Sequence, residues 1–69
     1  MRTSARNQLR GTVTGVTIGA VMAEIVVDVN GQSIVAAITK DSAERLGLQT
    51  GADVTVIVKA TDVMIGVEG

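Results

Sequence analysis

Apolar and polar positions alternate over most of this chain, with the period of two that marks half-buried strands. Leu9, Gly11 and Val13 share one parity, with Gln8, Arg10, Thr12 and Thr14 on the other. After Gly15 the parity flips, so that Val16 and Ile18 continue the apolar face. A flip at a glycine predicts a β-bulge that bends the strand. Gly19-Ala20 predicts a turn. Val21, Ala23, Ile25, Val27 and Val29 then form a second stripe. Glu24, Asp28 and Asn30 lie opposite, together with the apolar Met22 and Val26. Asn30-Gly31 is the strongest hairpin signal, because a type I′ turn needs positive φ at both central positions. The return strand puts Ile34, Ala36 and Ile38 on one face, and Ser33, Val35, Ala37 and Thr39 on the other.

The alternation breaks at residues 41–47, the one helix candidate. Asp41 and Glu44 have capping-box spacing with Asp41 as the cap, and Gly47 suits a left-handed C-terminal cap. A helix of one or two turns is not stable alone. Gln49-Thr50-Gly51-Ala52 reads as a turn. Val54, Val56 and Val58 predict a fourth strand, Val63 and Ile65 a fifth, and residues 66–69 are expected to fray. The expectation is an all-β fold: a five-stranded OB-like barrel with one short helix between strands 3 and 4, in a single domain over residues 1–69.

Composition narrows what such a barrel can do. A chain of 69 residues is too short for a large core, and domains of this size usually lean on disulfides, a metal or oligomerisation. Cysteine and histidine are both absent, which excludes disulfides, thiolate sites and imidazole ligation. Hydrophobic residues make up 46% of the chain and charged ones 19%, more apolar surface than so small an interior can hold. Val26, Val35, Ile57 and Met64 fall off the apolar stripes and would meet water in a monomer. Burial against other copies of the chain accounts for them, and a homo-oligomer is expected. No segment has the length to span a membrane. The N-terminus runs from Met1 into polar residues, unlike a signal peptide, so the expected location is cytoplasmic.

Three short segments carry candidate chemistry, and all three offer hydrogen-bond donors to an anion. Ser4 and Arg6, spaced i and i+2, point the same way on an extended strand. Arg6 presents a planar fork that keeps its proton. Taken alone, the pair reads more readily as a polar N-terminal arm. Thr39 and Ser42 flank the start of the short helix, where unpaired backbone N–H groups point outward; taken alone, they read as capping residues. Lys59 ends the fourth strand, and the backbone N–H of Ala60 sits at a strand break, where ladder partners are lacking. A solvated lysine at a strand end is the plainer alternative. Asp62 counts against a bare anion site unless it points away or orients a donor.

Together these segments resemble the Mop family of molybdate-binding proteins, the molbindins. The resemblance spans residues 4–66. It is carried by Ser-Ala-Arg-Asn at 4–7, by Thr39 and Ser42 with Leu46-Gly47-Leu48 after them, and by Lys-Ala-Thr-Asp-Val-Met at 59–64. It implies a molybdate site shared between subunits, with Ser4 and Arg6 from one chain and Thr39, Ser42, Lys59 and the Ala60 backbone from its neighbour. Some relatives carry serine at the last position, so this chain keeps only the N–H there. The resemblance also implies a hexamer built as a trimer of dimers, a second class of oxyanion site near a symmetry axis, and binding of tungstate as well as molybdate. The implied role is intracellular storage or homeostasis, with an oxyanion-sensing module of a transport or transcription system as the alternative.

Other classes fit less well. A nucleic-acid-binding barrel needs aromatic faces for base stacking, and aromatics are 0% of this chain, whose formal net charge is -1. An enzyme needs paired acid–base groups, and Glu24, Asp28, Asp41, Glu44, Asp53, Asp62 and Glu68 are scattered. An oligomerisation module without ligand remains open.

Overall fold

Asn30 and Gly31 close a two-residue hairpin, with φ of 51° and 86° as a type I′ turn requires. This computed structural model describes all 69 residues, Met1–Gly69. The turn joins β2 (Met22–Val29) to β3 (Gln32–Thr39), paired from Val29↔Gln32 to Met22↔Thr39 without a slip. β1 (Asn7–Ile18) is the long central strand. Its N-terminal half pairs with β4 (Asp53–Val58) and its C-terminal half with β2, giving an antiparallel sheet in the order β3-β2-β1-β4.

The predicted bulge is present one residue earlier than the glycine suggests. Val13 pairs with Val27 and Gly15 with Val26, so Thr14 is the extra residue. Its hydroxyl donates to the carbonyl of Val26 at 3.3 Å. The insertion keeps Val13 and Val16 on one face despite their odd separation.

That face holds the core. Val13, Ala23, Ile25 and Val27 are buried, and Ala43 closes over them from α1 (Lys40–Arg45). The stripe predicted for β2 is therefore buried at its middle positions. Val21, 70% exposed, precedes the strand in the bend after Gly19. The helix ends in a Schellman arrangement. The N–H of Leu48 donates to Ala43 O and that of Gly47 to Glu44 O, each at 3.1 Å, with Gly47 at φ 64°. Of the capping residues read from sequence, Thr39 is the cap and Asp41 is not. The Thr39 hydroxyl accepts the Ser42 N–H at 3.1 Å while Asp41 sits in the first turn.

The fifth strand does not form within the chain. After β4 a 3-10 turn at Ala60–Asp62 redirects the backbone, and the Val63 N–H donates back to Ala60 O at 3.3 Å. Val63 and Ile65 have no ladder partner, and Met64 and Ile65 stand 92% and 87% exposed. Two apolar positions straight after a tight turn offer too little alternation to hold a strand against their own sheet. The sheet is therefore open and four-stranded, with β3 and β4 as edges. No helix is long and apolar enough to cross a membrane.

Gly11 is where the sheet closes most tightly. A Cβ there would lie 2.5 Å from the carbonyl of Asp28 and 2.6 Å from Cγ1 of Val27. Gly11→Ala should therefore destabilise the protein by about 1–3 kcal/mol through overpacking. Gly66→Ala, with nothing within 4 Å of the new Cβ, should stay within about 0.5 kcal/mol. Urea unfolding at one fixed protein concentration checks both values.

Candidate functional site

The register of β1 against β4 builds the principal site. Asn7 opposite Val58 places the N-terminal arm beside the chain that leaves β4. Polar contacts brace the arm: Asn7 Nδ2 donates to Val58 O at 3.1 Å, Gln8 Nε2 to Ala5 O at 2.9 Å, and the Ala5 N–H to Thr3 Oγ1 at 3.2 Å. Residues 3–6 and 59–62 consequently face one hollow of about 590 Å³, to which Ser4, Arg6, Lys59, Ala60 and Asp62 all contribute.

The charges in this hollow are unspent. The chain's one ion pair joins Lys40 and Glu44 at 3.9 Å on the helix, away from Arg6 and Lys59. Both cations are exposed, so their donors point into water or toward a ligand. The Ala60 N–H opens the 3-10 turn and, as its first donor, has no acceptor inside it. A guanidinium, an ammonium, a hydroxyl and a free amide around one space form a donor set suited to a small oxyanion.

Thr39 and Ser42 lie elsewhere. Thr39 ends β3 opposite Met22, at the end of the sheet where β1 finishes, whereas Arg6 stands where β1 begins. The hollow beside Thr39, about 310 Å³, is lined by Ala20, Val21, Thr39, Lys40 and Asp41 and shares no residue with the first. Within one chain Ser4, Arg6, Lys59 and Ala60 line the same hollow, because the arm and the exit of β4 are neighbours in register.

Within its own segment Ser42 is well engaged. The Thr39 hydroxyl donates to Ser42 Oγ at 2.8 Å, and Arg45 Nη2 donates to the same oxygen at 3.3 Å. Ser42 Oγ thus accepts two bonds and keeps its own proton for another acceptor. Arg45 was missed from sequence. Its position three residues after Ser42, on one helix face, is the signal that could have found it. Asn7 and Gln8 were likewise missed as braces of the arm, and polar residues opening a strand are too common to single them out.

A further hollow of about 660 Å³ is lined by Arg10, Thr12, Asp28, Asn30, Asp53 and Thr55 among others. Asp28 and Asp53 flank Thr12 in register on its two sides, so the carboxylates outnumber the one cation. An anion is disfavoured there. No group of three metal-ligating side chains exists anywhere in the chain.

Comparison with known proteins agrees with the fold. The TOBE domain family matches residues 3–65. The chain belongs to the TOBE domain family. Molybdenum-pterin-binding protein 2 of Clostridium pasteurianum is 50% identical over 66 residues, covering 94% of this chain and 97% of that protein. Among solved structures, a molybdate-binding protein from Sporomusa ovata superposes with a TM-score of 0.90 at 48% identity, over 94% of this chain and 97% of its own. The cytoplasmic molybdate-binding protein ModG, solved with molybdate bound, gives a TM-score of 0.91 at 40% identity. The match covers 99% of this chain and 49% of ModG. This TOBE domain thus corresponds to about half of a ModG chain.

The cap assignment at the second segment is open to direct test. Thr39→Ala removes the acceptor for the Ser42 N–H and should cost about 1 kcal/mol. Asp41→Ala, in the first turn without a capping bond, should cost only about 0.3–1 kcal/mol through the helix dipole. Equal and small losses in urea unfolding would show that Thr39 is not the cap that matters.

Proposed function

We propose that this TOBE domain binds molybdate, and tungstate as well, and carries out no chemistry on it. The observation that carries this reading is the hollow in which Arg6 and Lys59 stand unpaired beside Ser4 and the Ala60 amide. Molybdate at neutral pH is a tetrahedral dianion whose oxygens only accept hydrogen bonds, so a site of donors suits it. Neutral donors contribute roughly 0.5–1.5 kcal/mol each, and charge-assisted ones about twice that. The likeness to molybdate-binding proteins along nearly the whole chain supports the same ligand.

One hollow of one chain is an incomplete container. A volume near 590 Å³ open to water far exceeds a five-atom ion, so the ion needs further walls. Ser42, with its free proton, and Thr39 lie at the far end of the sheet and reach the same anion only from a neighbouring chain. We therefore place the site at a subunit interface, with Ser4, Arg6, Lys59 and Ala60 from one chain and Thr39 and Ser42 from the next. The exposed apolar side chains, Val35 at 60% among them, support an assembly that covers them, and the proposed form is a hexamer built as a trimer of dimers. The role that fits is a cytoplasmic store or buffer of the oxyanion. Sulfate carries the same charge in a smaller tetrahedron, so its rejection rests on the size of the closed cavity.

Isothermal titration tests the reading. Molybdate should saturate at about one anion per chain, and sulfate should not. Arg6→Ala should weaken molybdate binding by roughly 10- to 100-fold, the worth of a charge-assisted contact. An absence of saturable binding in folded protein freed of bound anion would leave an oligomerisation module without ligand as the better account.

A further inference from the structure

Asp62 is the feature of the principal hollow that oxyanion binding does not explain. It ends the 3-10 turn that Lys59 caps, and its N–H donates to Lys59 O at 2.9 Å. Asp62 lines the hollow together with Arg6 and Lys59, yet its carboxylate forms an ion pair with neither. A carboxylate that neutralised a cation would be an ordinary surface pair. One that stands unpaired in a donor site acts on whatever anion enters.

We infer that Asp62 is an attenuating residue of the oxyanion site, set there to hold the affinity for dianions below what Arg6 and Lys59 would otherwise give. The inference rests on the function proposed above. The physical basis is distance and charge. Lys59 and Asp62 bound one 3-10 turn, which rises about 2 Å per residue, so Asp62 lies well within the Debye length of about 10 Å at 0.1 M salt from an anion held by Lys59. A dianion held there feels Asp62 only partly screened. The carboxylate cancels one of the two positive charges, leaving the hollow singly positive. A molybdate oxygen has no proton to donate to a carboxylate at neutral pH, so no hydrogen bond offsets the repulsion. For a protein that must release its anion, weaker binding is an asset, because residence time follows affinity.

The test compares wild type with Asp62→Asn, which removes the charge, keeps the size of the side chain and leaves the backbone bond of the turn in place. Asp53→Asn, in the acidic hollow on another part of the sheet, serves as the control. Titration with sodium molybdate at low salt should show Asp62→Asn binding about three- to tenfold more tightly than wild type, with Asp53→Asn unchanged. The gain should collapse toward unity near 1 M salt, where the Debye length is about 3 Å. Saturable wild-type binding with an Asp62→Asn affinity that is equal or weaker, in protein whose circular dichroism matches wild type, would overturn the attenuating role alone. A weaker affinity would identify Asp62 as the residue that positions a donor. Absence of saturable binding by both proteins would overturn the oxyanion reading and this inference with it.

Discussion

Pairing on both edges of β1 is the constraint on which this domain depends. Its first six residues pair with β4, and from Thr12 onward every residue but Thr14 pairs with β2, so that Thr12 is paired on both sides. A strand that serves two partners along different halves must bend between them. The bulge at Thr14 and the bare backbone at Gly11 permit that bend. Gly11 lets the end of β2 press onto β1, and Thr14 restores the inward direction of Val16. The arm, the exit of β4 and the start of the helix take their positions from where β1 begins and ends. The site is thus a consequence of strand register before it is a matter of side-chain chemistry.

How much of this could be read from the residues depends on how local each signal is. Asn30-Gly31 and Gly47 were legible because positive φ is a property of single positions. The buried stripe Ala23, Ile25 and Val27 was legible because alternation is periodic. The cap was legible only as a choice, because Thr39, Asp41 and Ser42 are all good capping residues. The choice among them is made by where β3 stops, which depends on its pairing with Met22. The fifth strand at Val63 and Ile65 was overread for a related reason. Alternation says that a segment can be half buried, but not whether its own chain offers the surface. With the fifth strand goes the closed barrel, since the sheet retains two free edges.

The site divides in the same way. Ser4, Arg6, Lys59 and Ala60 were each picked out by residue type, and the structure brings them to one hollow. Their nearness within a single chain was not legible from spacing, because residues some fifty positions apart are joined only by the ladder between Asn7 and Val58. Thr39 and Ser42 were rightly seen as one local unit, held by a 2.8 Å bond between their hydroxyls, but as a unit remote from the first. Arg45 escaped notice because its contact to Ser42 belongs to a helix whose phase is set by the true cap.

The interior of this chain shows why site and assembly belong together. Five residues are buried, and two of them are alanines. Val13, Ile25 and Val27 make a small apolar core for a chain of 69 residues, even with the half-buried residues packed against them. The exposed Val35, Ile57, Met64 and Ile65 are the remaining source of apolar burial, and a neighbouring chain is the means the proposed assembly offers to use it. On that view an anion held between chains does two things at once. It is retained by donors from both chains, and by binding only the assembled form it stabilises the assembly through mass action. A carboxylate in the same hollow then limits both effects together, so that release of the anion and loosening of the interface share one electrostatic control.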